Sequence, residues 1–186
     1  FYGMTFNRDG ACTLAAGDGA LTVGLACVAA TLPTAVSRTY TIAEDLALAA
    51  AQTWTLTRNG AGVPTLAVTG AISDGDASFG ITQAGNGILT LSGANSYDGV
   101  TTVRTGGVLR ISSATALGST NGATSVENGA YMELTGGVTV EEPLTISGDA
   151  AVGYGGVLRS NGGSNVWSGA IVTTGSRVRC NSGSLD

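Results

Sequence analysis

Few residues in this chain could do chemistry. It carries thirteen carboxylates and eight basic residues, all eight of them arginine, and it has no histidine. Without histidine there is no Ser-His-Asp or Cys-His pair and no imidazole ligand for a metal. Without lysine there is no Schiff base, no P-loop lysine and no Lys–Asn crosslink. Two acidic pairs, Glu44-Asp45 and Glu141-Glu142, resemble the paired carboxylates of glycoside hydrolases. Adjacent residues on a strand point to opposite faces, so neither pair converges on one bond, and both read as solvated strand ends. Asp74-Gly75-Asp76 offers oxygen ligands to Ca²⁺ but lacks the EF-hand spacing and the nonapeptide repeat, so it reads as a polar turn. The arginines are scattered along the sequence, unlike the clustered groups of a polysaccharide-cleaving site. No catalytic residue, cofactor or metal ligand is assigned, and the chain is read as not an enzyme.

Three cysteines remain: Cys12, Cys27 and Cys180. In an oxidising compartment Cys12 and Cys27 could form a disulfide, whose loop would contribute about 3 kcal/mol in the chain-entropy model. The spacing of neighbouring strands suits such a bond. Two small buried thiols are the alternative, and both readings stand; Cys180 is then left over. Tyr2, Tyr40, Tyr97, Tyr131, Tyr154, Trp54 and Trp167 could line a sugar-stacking strip, but core or corner packing is the expectation. A net charge of −5 and a pI near 4.5 argue against nucleic acid or an anionic membrane surface as the main partner.

The elements that must position these groups are strands. Glycine numbers 30 of 186 residues, hydrophobic residues make up 43% and aromatic residues 5%, so side chains are small but the chain is not disordered. Short runs alternate apolar residues with Thr, Ser or Arg and stop at Gly, Asn or Asp; examples lie at 88–92, 100–104, 108–112, 131–135 and 144–147. Only 43–52 could be read as a helix, and strand-like flanks argue against it. Residues 19–37 form an uncharged stretch, yet Pro33, the glycines and the alternation of Leu21, Val23, Leu25 and Cys27 favour buried β-structure over a membrane span. A sandwich would bury more large aromatics. A narrow solenoid needs small aliphatics and glycine corners, which is this composition. Internal echoes agree: 41–48 aligns with 139–146, and Trp54 followed by 69–72 is echoed by Trp167 followed by 168–171.

Residues 87–111 (GILTLSGANSYDGVTTVRTGGVLRI) resemble the autotransporter-associated β-strand repeat, also called the passenger-associated transport repeat. The matching positions are Gly87, Leu89, Leu91, Gly93, Asn95, Tyr97, Gly99, Thr101, Val103, Gly107 and Leu109, with Val100 in place of the usual Gly. Residues 156–171 look like the Trp-Ser-Gly-x-Ile unit that accompanies such repeats. The resemblance implies a right-handed parallel β-helix in a large bacterial protein that is secreted or displayed on the cell surface. The long alternating strands of an outer-membrane barrel are not found in this chain.

The expectation is therefore an all-β fold, a β-solenoid of roughly eight to nine coils running through 1–186, read as part of a longer protein. The clearest repeat is 87–119, and a second unit at 139–171 echoes 41–72. Asn95 and Tyr97 are expected at a turn, where asparagines stacked in successive coils could share amide hydrogen bonds. The expected role is a non-enzymatic extracellular stalk. Alternatives are a filament subunit that pairs end to end with itself by strand addition, and an adhesin for surface glycans.

Overall fold

A computed structural model describes residues 4–6, 12–14, 21–23, 28–31, 35–150 and 155–186. Every paired strand among them runs parallel to its neighbour, and the described residues contain no helix. The strands fall into walls. The first is β1 (Met4–Phe6), β4 (Val28–Thr31), β7 (Gln52–Thr57), β10 (Ile81–Gly85), β12 (Thr101–Val103), β14 (Thr124–Val126), β17 (Leu144–Ser147) and β19 (Ile171–Thr174), stacked in that order. The second is β2 (Cys12–Leu14), β5 (Arg38–Ile42), β8 (Pro64–Val68), β11 (Ile88–Leu91), β13 (Val108–Ile111), β15 (Tyr131–Leu134), β18 (Leu158–Trp167) and β20 (Val178–Leu185). A third, shorter wall comprises β3 (Leu21–Val23), β6 (Leu46–Leu48) and β9 (Ile72–Ser73), while β16 (Thr139–Val140) pairs with the far end of β18.

This is the parallel β-solenoid expected from the composition. It makes about seven turns rather than eight to nine, because successive rungs lie 20 residues apart at the shortest (Ile81 to Thr101) and 29 at the longest (Gln52 to Ile81). At a strand spacing of about 4.8 Å the first wall is about 34 Å tall. The segment 43–52 contains β6 and the start of β7, with no helix.

Alternation makes the core. In β7 and β8 every second side chain is buried, so a strand presents one file of residues inward. Parallel register then stacks the same file from coil to coil. Tyr40, Leu66, Leu89, Leu109, Met132 and Leu158 follow one another up the second wall, each fully buried. Ile42, Val68, Leu91, Ile111 and Leu134 form the next file. The core is thus narrow and continuous, with no gap between coils.

Two motif glycines have a physical reason other than positive φ. A Cβ on Gly93 would collide with the carbonyl of Gly70 in the coil below, and one on Gly99 with the backbone of Phe79 and Gly80. At these corners consecutive coils approach more closely than a methyl group allows. Val100, where the repeat pattern usually has Gly, points outward and is half exposed.

Candidate functional site

The motif residues build a corner. Beyond β11 the chain passes through Asn95 and Tyr97 before β12, on the level of the third wall. Asn95 is buried; its Oδ1 accepts the Ile72 N–H at 2.9 Å and its Nδ2 donates to the Ala116 carbonyl at 2.5 Å. One side chain thereby ties three coils together. Its neighbours along the stack are Ile72 and Ala116, so the expected asparagine-on-asparagine ladder is replaced by amide-to-backbone bonds.

Tyr97 is fully buried, and its hydroxyl lies 2.7 Å from the hydroxyl of Thr101. Burial pushes its phenol well above the usual range. Thr101 pairs in register with Thr124, which pairs with Leu144. Two threonines thus stack between Ile81 and Leu144 in one buried file, and the second approaches Glu142, whose Oε1 accepts from Thr124 Oγ1 at 3.4 Å. Glu142 is only 3% exposed, and burial pushes its carboxyl up to about 7, partly offset by the Thr124 hydroxyl. Trp167 closes the corner: its Nε1 donates to the Glu142 carbonyl at 2.9 Å.

Both acidic pairs lie between strands, and one member of each is buried rather than solvated. Glu142 and Glu44 face inward while Glu141 and Asp45 are exposed, and Asp45 accepts the Ala71 N–H at 2.7 Å. Their positions next to a wall's inward file explain the difference: Leu144 and Leu46 continue the same alternation. A carboxyl near 7 suits a general acid. Its side-chain hydrogen bond here is to the Thr124 hydroxyl, which cannot serve as a base at neutral pH. A shallow cleft of about 600 Å³ opens beside the corner, lined by Thr115, Leu117, Ser119, Thr139 and both Glu141 and Glu142. These groups can accept and donate hydrogen bonds.

The other candidates are structural. Asp74 Oδ2 accepts the N–H groups of Phe79 and Asp98, which closes a turn with positive φ at Gly75, Asp76 and Ser78. Among the described residues no group of three or more His, Cys, Asp or Glu could hold a metal. Tyr40, Tyr97 and Trp54 are fully buried and Trp167 nearly so, while Tyr131 lies beneath Arg159, so these aromatics do not form a surface strip. Tyr2 and Tyr154 lie outside the described residues, as does the Cys12–Cys27 pairing; Cys180 is a free, exposed thiol. Trp54 belongs to the first wall and Trp167 to the second. No helix among the described residues is long and apolar enough to cross a membrane.

In this parallel solenoid, buried Asn95 and Tyr97 and the close corners at Gly93 and Gly99 tie successive coils together. Residues 81–111 match the family model of the passenger-associated-transport-repeat, and the chain carries that repeat. Over 78 residues, 42% of this chain, it is 41% identical to the adhesin BmaC autotransporter of Brucella suis biovar 1 (strain 1330). The chain spans about 2% of that adhesin's length. No solved structure matches it.

Proposed function

We propose that this chain is a stiff, non-enzymatic length of a passenger-like rod in a bacterial protein that is secreted or exposed at the cell surface. The observation that carries this reading is the unbroken file from Tyr40 through Leu158, in which every coil packs and hydrogen-bonds to the next. Bending such a stack would open buried apolar surface and strain two ladders together. The likeness to an autotransporter adhesin supports a place outside the cell. Small-angle scattering of the purified chain should reproduce the profile of a stack of about seven coils about 34 Å tall, independent of concentration, and incubation with a polysaccharide panel should release no reducing ends. A profile that the stacked coils do not reproduce, or sugar release abolished by Glu142→Gln, would overturn the reading.

A further inference from the structure

We propose that the cleft beside Glu142 binds a primary ammonium group carried by a small polar molecule, with the Glu142 carboxylate as its counter-charge. The cleft forms where two successive coils part at a corner. Residues 113–122 spend their backbone bonds on themselves and on the coil below: the Ala116 N–H donates to Ser113, the Gly118 N–H to Thr115 and the Ser119 N–H to Tyr97, while the Thr115 carbonyl accepts from Asn95. In the next coil, β16 bonds away from them, to β18. The ladder between these two coils holds from the Thr135 N–H to the Ile111 carbonyl at 3.0 Å, and again from the Thr124 N–H to the Pro143 carbonyl at 2.8 Å. Between those two points opens the cleft of about 600 Å³.

Glu142 lines this cleft while only 3% exposed. Among the described residues its carboxyl has one hydrogen bond, the 3.4 Å contact of Oε1 with Thr124 Oγ1, long for a bond between two oxygens, and Oε2 has none. Enclosing a carboxylate with so few donors is costly unless a cation meets it. No basic side chain lines the cleft. The neighbouring charges are of the same sign: Glu141 stands at the same cleft, and Asp98 holds the hydroxyl of Ser119, another lining residue. Burial pushes the Glu142 carboxyl up to about 7, so its charged form is the one that a bound cation stabilises.

The lining selects the ligand. An ammonium has three N–H donors and no acceptor, and the cleft offers it two carboxylates and the hydroxyls of Thr115 and Thr139. Leu117 and Ala114 give the carbon frame an apolar side, and the volume falls within the range of small-molecule sites. A Ca²⁺ ion takes about six to eight oxygens, more than two adjacent carboxylates supply. A neutral sugar finds no aromatic platform in the lining, and an anion is repelled. The inference goes beyond the rod reading and does not depend on it: the coils stack with or without a ligand at this corner.

The test titrates the 186-residue chain with 6-amino-6-deoxyglucose, cadaverine, glucose and calcium chloride, read by calorimetry and by the amide NMR shifts of Thr124 and Glu142. It is run at about pH 8, where Glu142 is ionised and alkylamines keep their proton. At least one amine should bind with a Kd of about 1 mM or tighter and move both amides, while glucose should not. The two amines separate a hydroxylated frame from an aliphatic one. Glu142→Gln keeps the shape and an acceptor oxygen and should lower affinity by more than about tenfold. Glu127→Gln, at the other end of β14, should change it by less than about twofold. Glu141→Gln, at an exposed side chain, should lower it by about threefold and carries the same reading if the first variant loses its fold. Binding of neither amine would overturn the proposal. So would glucose binding as tightly as its amino analogue, Ca²⁺ binding the same residues more tightly than the amines, or an equal loss in Glu127→Gln.

Discussion

Replacing Glu142 with glutamine should make the chain more stable at neutral pH and leave it nearly unchanged in acid. Burial raises the Glu142 carboxyl from 4.5 to about 7 in the folded chain. Below pH 4.5 the group is protonated both folded and unfolded, so ionisation costs nothing. Between 4.5 and 7 the folded chain retains a proton that the unfolded chain releases, and raising the pH favours unfolding. Above 7 both states are ionised and the penalty reaches its plateau. At 1.36 kcal/mol per pH unit the ceiling is about 3 kcal/mol; with solvent screening at the edge of the cleft we expect about 1–2 kcal/mol. Glutamine is nearly isosteric and keeps an oxygen to accept from Thr124. Urea unfolding of both proteins at half-unit steps from pH 4 to 8 gives the difference between the two curves, in which every other titrating group cancels. That difference should grow from near zero at pH 4.5 to its plateau just above 7. A difference independent of pH would refute the assignment of Glu142 as a buried, protonatable carboxyl.

Other perturbations follow from the same packing. Leu89→Ala, at a fully buried rung of the second wall, should cost about 2–5 kcal/mol in chemical denaturation, whereas Thr90→Ala on the outer face should stay within about 0.5 kcal/mol. Asn95→Ala strands the Ile72 N–H and the Ala116 carbonyl and should cost about 2–4 kcal/mol, with faster hydrogen exchange at the Ile72 amide. Gly93→Ala meets the Gly70 carbonyl and should lower the melting temperature by more than Gly75→Ala, which meets nothing within 4 Å and pays only about 1–2 kcal/mol for its left-handed φ of +58°.

Much of the core was legible because strand alternation is local. Leu89 and Leu91 enter the core and Thr90 does not simply because successive side chains point opposite ways. The same rule separated Glu141 from Glu142, yet it could not say which of them faced inward; that depends on Leu144 joining the first wall's inward file. The asparagine of the motif was recognised, but its partners were not, since they come from coils 21 and 23 residues away. Trp54 and Trp167 look equivalent in sequence and stand in different walls, because β18 continues through the corner where β7 belongs to the first wall alone.

The sequence by itself determined what each rung is made of: short alternating strands, small aliphatics, glycine at close corners, and a passenger-associated transport repeat at 81–111. Composition and period-two patterning act within a few residues, and no tertiary context is needed to read them. Only the tertiary structure decided which rungs stand over which. Coil lengths between 20 and 29 residues shift the register from turn to turn, so vertical neighbours cannot be counted off the chain. The seven turns and the buried Thr101–Thr124–Glu142 corner are both products of that stacking. In a solenoid the backbone ladders choose the register, and side chains far apart in sequence become neighbours only once that choice is made.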